Sequence, residues 1–163
     1  MPLLTLGLGS NIAPEQNINA CLQSLHALFP GLRCSTIYRS VAQGFDGDPF
    51  LNLVTAVETS MPLTQVVTEL RALEDSAGRD RSQPKFSSRT LDIDVLTYGA
   101  SDGGEAGLAL PRDEILRYAF VLRPLSELLP DEIHPPTGKT YRQLWQEFEA
   151  GSQPLEAVQG VAT

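Results

Sequence analysis

The chain has 163 residues, of which 42% are hydrophobic and 20% charged, and a formal net charge of −8 at pH 7. This length is enough for one domain with a buried core, while the acidic balance argues against nucleic acid or an anionic membrane as the main partner. No apolar stretch is long enough to span a bilayer. Cys21 and Cys34 are too few for a disulfide framework, so we expect buried thiols and a cytoplasmic location.

The first half of the chain combines apolar strands with one amphipathic helix. The predicted elements are a strand over 3–8, a helix over 14–28, a strand over 32–38 and a strand over 50–59. Pro14 suits the first position of the helix. The polar segment 39–49 is longer than an ordinary hairpin loop, and long loops in compact domains are often functional.

The second half continues the pattern and adds helices at the end. The predicted elements are a helix over 62–78, a strand over 91–98 and helices over 119–129 and 141–148. We expect Glu74 to be a solvated helix residue and His134 a surface or structural residue of a loop. Residues 1–150 are expected to form a single domain, and the polar residues 151–163 a frayed tail.

The order strand, helix, strand, strand, helix, strand predicts an α+β fold. It corresponds to a ferredoxin-like βαββαβ core with an antiparallel sheet, extended here by C-terminal helices. That order is shared by many proteins of different activity, so it carries no functional conclusion.

Two carboxylates stand out in the predicted strand over 91–98. Asp92 and Asp94 are two residues apart, so their side chains share one face of the strand with Cα atoms roughly 6–7 Å apart. The alternating apolar residues Leu91, Ile93 and Val95 would fill the opposite face. Paired carboxylates suit Mg²⁺, which is usually held by one or two carboxylates and by substrate phosphates.

A basic loop precedes this strand in an otherwise acidic protein. Its four cationic side chains lie within residues 79–89 and are Arg79, Arg81, Lys85 and Arg89. Local reversal of the global charge indicates a polyanionic ligand such as a phosphate chain. The alternative is a flexible basic loop followed by a solvated acidic strand face, and for an isolated Asp-x-Asp pattern that alternative is the commoner one.

The spacing of Arg79 and the run Arg89-Thr90-Leu91-Asp92-Ile93-Asp94 closely resemble the signature of hydroxymethyl-dihydropterin pyrophosphokinases, enzymes of folate biosynthesis. The tripeptide Gly9-Ser10-Asn11 resembles the family's opening turn. Residues 38–52 are similar to its pterin-binding loop and strand. The resemblance spans about residues 4–129.

The resemblance implies transfer of pyrophosphate from ATP to the hydroxymethyl group of 6-hydroxymethyl-7,8-dihydropterin, with release of AMP. It implies that Asp92 and Asp94 hold two Mg²⁺ ions and that Arg79 and Arg89 stabilise charge at the attacked phosphorus. From the charge of the basic loop, we expect ATP to contact Lys85 as well. The implied pterin-binding residues are Ser40, Val41, Ala42, Gly44, Phe50, Asn52 and Phe120.

The sequence departs from the family pattern at several positions. Arg112 stands where the family commonly has His, Tyr118 where it has Arg, and Phe86 where Trp is frequent; Val41-Ala42 replaces a frequent Pro pair. We expect Arg112 and Arg117 to supply the missing cations to the phosphates of ATP, because Arg stays protonated at any working pH.

Three functions are compatible with the sequence. The first is the pyrophosphokinase, acting as a monomer on two small molecules with neither nucleic acid nor membrane as a partner. The second is a divergent paralogue that binds pterin or nucleotide without turnover, which the departures near ATP would favour. The third is a nucleic-acid-binding ferredoxin-like domain, which the acidic charge and the lack of an aromatic RNA-binding strand motif oppose.

Overall fold

The structure is a computed structural model that describes residues 1–42, 47–78 and 90–158. Its strands are β1 (Leu3–Ser10), β2 (Arg33–Cys34), β3 (Ile37–Ser40), β4 (Phe50–Glu58), β5 (Asp92–Tyr98), β6 (Ile133–His134), β7 (Lys139–Thr140) and β8 (Glu156–Val158). Its helices are α1 (Pro14–Leu28), α2 (Leu63–Ser76), α3 (Glu114–Arg117), α4 (Ala119–Leu128) and α5 (Tyr141–Glu147), with short 3-10 helices at Gly104–Ala106 and Ala150–Ser152.

The main sheet is antiparallel and has the strand order β5-β1-β4-β3-β8, with β2 also paired to β4. The succession β1, α1, β3, β4, α2, β5 confirms the ferredoxin-like βαββαβ core, and α3, α4 and α5 are the additional C-terminal helices. None of the helices within the described ranges has the length and apolarity needed to cross a membrane.

One face of the sheet is covered by α1 and α2. Strand residues such as Leu6, Leu53 and Ile93 pack in one buried cluster with the apolar stripes of these helices. The stripes are Ile18, Cys21, Leu22 and Leu25 in α1 and Leu63, Val66 and Leu70 in α2. The helical spacing of apolar residues in the sequence therefore predicted correctly which residues of α1 and α2 face the sheet.

The other face is covered along only part of its length. Val54, Ala56 and Leu96 form a second buried cluster with Ile115, Val121, Leu122, Leu125, Tyr141 and Leu144 of α3, α4 and α5. The strand positions beyond this cluster include Asn52, Asp92 and Asp94, with Gly7 and Gly9 between them. They form the candidate site.

The C-terminal residues correct one expectation from the sequence. Residues 151–163 were expected to be frayed, but Glu156–Val158 forms β8, which pairs with β3 through Ile37, Tyr38 and Arg39. A salt bridge of 3.1 Å between Arg39 and Glu156 accompanies the pairing. Without β8, the backbone N–H and C=O groups on the edge of β3 that faces away from β4 would lack partners in the sheet. The short polar segment supplies these hydrogen bonds.

His134 belongs to the small two-stranded sheet formed by β6 and β7 rather than to a loop. It is buried, its Nδ1 lies 3.0 Å from Thr137 Oγ1, and burial lowers its pKa. These contacts give it the structural role that the sequence offered as one of two possibilities.

Candidate active site

Four neighbouring strands bring residues of the site into one row. Asp92 of β5 is opposite Gly9 of β1, Gly9 is opposite Asn52 of β4, and Asn52 is opposite Tyr38 of β3. Residues directly opposite each other in an antiparallel sheet have their side chains on the same face. The row therefore places the Asp92 carboxylate and the Asn52 carboxamide on one face, separated by a residue without a side chain.

Two glycines of β1 form the floor between these groups. Gly7 is opposite Asp94 and Val54, and Gly9 is opposite Asp92 and Asn52. A Cβ added at Gly9 would lie 3.0 Å from Asn52 Oδ1 and 3.6 Å from Phe50 Cδ1. Glycine at this position thus lets the Asn52 side chain lie close to the β1 backbone and keeps the face open.

The carboxylates of Asp92 and Asp94 share the open face, as the sequence predicted, while Leu91, Ile93 and Val95 are buried. Desolvation, reinforced by repulsion from the neighbouring Asp92 carboxylate, raises the pKa of Asp94 to about 7. A pair of acids that resist ionising together is a suitable place for a divalent cation.

Arg112 lies at the edge of this pair. Its Nη1 is 3.8 Å from Asp94 Oδ1, and its Nε donates a 2.6 Å hydrogen bond to Glu114 Oε2. The backbone N–H of Arg112 donates to the carbonyl of Leu96, which fixes the residue to β5. The predicted cation is therefore adjacent to the carboxylates, with its side chain half-buried.

Glu74 is buried, contrary to the expectation of a solvated helix residue. Its Oε2 accepts a 2.9 Å hydrogen bond from the backbone N–H of Ile93, the residue between the two aspartates. Helix α2 packs against β5 so that this carboxylate reaches the strand backbone. Glu74 thus holds the strand segment that carries Asp92 and Asp94.

Asn52 and Ser40 form the opposite side of the site. Both are buried, and Asn52 Nδ2 donates a 2.7 Å hydrogen bond to Ser40 Oγ, which fixes the orientation of the carboxamide. Phe50, two residues before Asn52 on the same face, is half-buried. Val41, which follows β3, is 60% exposed, and Ala42 is intermediate.

Helix α4 runs in the direction opposite to β3. Near the C-terminal end of the helix, Glu127 accepts hydrogen bonds from Thr36 and from the Tyr38 hydroxyl. One turn earlier, the Arg123 guanidinium lies 4.8 Å from the centre of the Tyr38 ring. The first turn of α4, with Phe120, is therefore directed toward the end of β3 at Ser40. The Phe120 ring stacks on Tyr118 with centroids 5.0 Å apart.

The last residue of β1 and the residue that follows it bind the segments that precede β5 and β4. Buried Ser10 donates a 2.6 Å hydrogen bond to the carbonyl of Thr90, two residues before β5. Buried Asn11 donates a 3.0 Å hydrogen bond to the carbonyl of Asp48, shortly before β4. Gly9 and Ser10 thus end β1 rather than forming the predicted turn, and the tripeptide Gly9-Ser10-Asn11 is structural and adjacent to the site.

The remaining predicted residues divide into two groups. Arg117 is on α3 and forms ion pairs of 3.3 Å with Asp113 and 3.4 Å with Glu114. The structure does not describe the residues that carry four other predictions, namely Gly44, Arg79, Lys85 and Arg89, nor Arg81 and Phe86.

Sequence reasoning missed several contributors to the site. The pair Gly7-x-Gly9 within an apolar run was a usable signal, because two glycines on one strand face leave that face open. Glu74 within the apolar stripe of α2 was another, since a buried acid needs a partner. The roles of Glu114 and Tyr38 depend on contacts between distant segments and had no sequence signal.

Comparison with known proteins agrees with this geometry. The family model of 7,8-dihydro-6-hydroxymethylpterin-pyrophosphokinase (HPPK) matches residues 5–130. A 2-amino-4-hydroxy-6-hydroxymethyldihydropteridine pyrophosphokinase of Synechocystis is 35% identical over 148 residues, which cover 88% of this chain and 75% of that protein. Proteins with the same description from Pseudomonas aeruginosa (36% identity; 85% and 87% covered) and Aquifex aeolicus (30% identity; 91% of each covered) are similarly related.

Solved structures share the fold. The Plasmodium falciparum HPPK-DHPS wild-type structure matches with a TM-score of 0.67 at 13% identity, and an HPPK-DHPS in complex with substrates with a TM-score of 0.70 at 13% identity. The matches cover 90% and 93% of this chain, which spans only 41% and 44% of those longer chains. With the family model matching most of its length, the chain belongs to the 7,8-dihydro-6-hydroxymethylpterin-pyrophosphokinase family.

Proposed function

We infer that this protein transfers pyrophosphate from ATP to the hydroxymethyl group of 6-hydroxymethyl-7,8-dihydropterin and releases AMP. The observation that carries this inference is the row of Asp92, Gly9 and Asn52 across three strands. It combines a site suited to cations and phosphates with a carboxamide suited to the donor and acceptor edge of a pterin. The two substrates would therefore meet over the glycine floor.

Asp92 and Asp94 fit Mg²⁺, because they offer hard oxygen ligands on a shared face and repel each other when both are ionised. No cluster of three or more His, Cys, Asp or Glu side chains suited to a metal lies within residues 1–42, 47–78 and 90–158. We propose that phosphate oxygens and water complete the coordination of two ions. When bound, the ions would offset the charge of the phosphates and orient them.

In the proposed reaction the hydroxymethyl oxygen forms a bond to the β-phosphorus of ATP and the bond from that phosphorus to the α,β-bridging oxygen breaks. AMP leaves with the bridging oxygen, and the hydroxyl proton is released. Phosphoryl transfer depends mainly on positioning and electrostatic stabilisation. We assign charge stabilisation to Arg79 and Arg89, in agreement with the family signature, and a further ATP contact to Lys85 because it belongs to the same basic segment.

The pterin would bind on the Asn52 side of the floor. We propose that the Asn52 carboxamide, oriented by Ser40, contacts the ring edge and that Phe50 and Phe120 pack against the ring faces. Backbone groups at Val41, Ala42 and Gly44 would complete the pocket. Two observations support this placement. The side chains of Ser40, Phe50 and Asn52 share one face of the sheet, and the first turn of α4 is directed toward the end of β3.

The direct test is to incubate the protein with ATP, Mg²⁺ and 6-hydroxymethyl-7,8-dihydropterin and to measure AMP and pterin diphosphate. Equal amounts of both products, absent without the pterin, are expected. Binding of both substrates without AMP would instead identify a non-catalytic paralogue. ATP hydrolysis that is independent of the pterin would contradict the assigned acceptor.

Arg112→Ala should weaken binding of a non-hydrolysable ATP analogue with Mg²⁺ by roughly tenfold, as expected for a lost charge-assisted phosphate contact. The guanidinium lies beside Asp94 and is held by Glu114, so it is already in position. Arg117→Ala provides the comparison. Arg117 is also a predicted ATP contact, but both of its ion pairs are to acidic residues near it on the chain, so we expect a smaller effect. Unchanged affinity for Arg112→Ala, measured by calorimetry, would rule out this role.

Gly9→Ala should raise the KM for the pterin about five- to tenfold. The added methyl group would lie 3.0 Å from Asn52 Oδ1, so the carboxamide must move from its place beside Ser40. Gly7→Ala is the comparison: it adds the same methyl group to the floor, but its Cβ would make ordinary contacts of 3.5–3.7 Å with Leu96 and would not displace Asn52. Equal pterin KM values for the two variants would show that the position of Asn52 is not critical.

A further inference from the structure

The start of helix α4 lacks a cap of its own. The N-cap residue is Tyr118, whose side chain makes no capping hydrogen bond. The N–H groups of the first turn of a helix have no partner within the helix and need one from outside. In this protein one of these groups is satisfied by the C-terminal segment that the sequence predicted to be frayed.

Gln153 supplies that partner. Its Oε1 accepts a 2.9 Å hydrogen bond from the Ala119 N–H, and its Nε2 donates a 2.9 Å hydrogen bond to the Arg117 carbonyl. A single carboxamide thereby binds the backbone on both sides of Tyr118. It fixes the peptide units that join the two helices, because it caps the last carbonyl of α3 and the first N–H of α4.

The two hydrogen bonds are close to a proposed substrate contact. The Tyr118 ring stacks on Phe120 with 14° between the ring planes. One face of the Phe120 ring is therefore in contact with Tyr118, and the orientation of Tyr118 affects the position of Phe120. Further along the segment, β8 pairs with β3, which leads to Ser40 and Val41. Residues 150–158 therefore contact both structures that border the proposed pterin pocket. They lie beyond the residues 5–130 matched by the family model.

We propose that Gln153 is a positioning residue for the pterin, acting through the backbone at Tyr118 and Ala119 to hold Phe120 in place. This inference rests on the proposed function, because it needs Phe120 to contact the pterin. Its effect should be specific to one substrate. ATP and its cations are assigned to Asp92, Asp94 and the arginines. Gln153 contacts the backbone carbonyl of Arg117, whereas the Arg117 side chain pairs with Asp113 and Glu114.

The test is to compare Gln153→Ala with Gln146→Ala, the same change at an exposed position of α5. Gln153→Ala should raise the KM and the Kd for the pterin roughly five- to tenfold, as expected for two lost hydrogen bonds, with kcat and the KM for ATP changed less than about twofold. Gln146→Ala should match the wild type. An unchanged pterin KM in Gln153→Ala, or an equal rise in both KM values, would overturn the proposal.

Gln153→Glu separates the two hydrogen bonds. A carboxylate still accepts from the Ala119 N–H but cannot donate to the Arg117 carbonyl. We expect an intermediate loss of pterin affinity, with a melting temperature between those of the wild type and Gln153→Ala. Wild-type affinity in this variant would overturn the two-sided role. AMP formation by the wild type is measured first, so failure of the proposed function and failure of this inference give different results.

Discussion

Asp94→Asn and Asp92→Asn should each lower kcat by about three orders of magnitude or more while the protein stays folded. Each change keeps the shape of the side chain but removes a charged oxygen ligand from the open face of β5. The free energy of unfolding should be unchanged or slightly higher, because repulsion between the two carboxylates is relieved. Initial rates measured across a range of Mg²⁺ concentrations would show the loss.

Asp131→Asn is the control, since this carboxylate is 79% exposed and pairs with Arg142 at the surface. It should be fully active. Normal turnover of Asp92→Asn or Asp94→Asn at saturating Mg²⁺ would exclude the proposed role of the pair in holding cations. Loss of activity together with loss of the folded state would point to a structural role instead.

Glu74→Ala should lower the free energy of unfolding by about 2–3 kcal/mol, because it leaves the Ile93 N–H without its carboxylate acceptor in a buried place. Glu74→Gln retains a side-chain oxygen that can accept a hydrogen bond from this N–H, so its free energy of unfolding should fall by less. Urea denaturation of the two variants would measure the difference.

Glu69→Ala makes the same change in the same helix at a partly exposed position and should cost less than about 0.5 kcal/mol. Equal destabilisation by Glu74→Ala and Glu69→Ala would show that the hydrogen bond to Ile93 contributes little. The folded Glu74→Ala protein should also be less active than the wild type, because the strand segment that carries Asp92 and Asp94 is less firmly held.

Sequence patterns predicted the elements that depend on local spacing. The bounds of α1 were correct at both ends, since Pro14 sets its start and the apolar stripe continues to its last turn. The predicted strand over 32–38 became two short strands, β2 and β3, which pair with different parts of β4. Helix α3 was missed because four residues are too short to show a period.

The sequence by itself determined the order of the core elements, the shared face of Asp92 and Asp94, and the family, because these follow from spacing along the chain. Only the tertiary structure decided what stands opposite that face. The register of β1 against β4 and β5 brought Gly9 and Asn52 beside Asp92. Packing of α2 buried Glu74, and the return of the C-terminal segment placed Gln153 at α4. Such contacts join residues far apart in the chain, and pairing and burial are fixed only when the whole sheet and both helical layers have assembled.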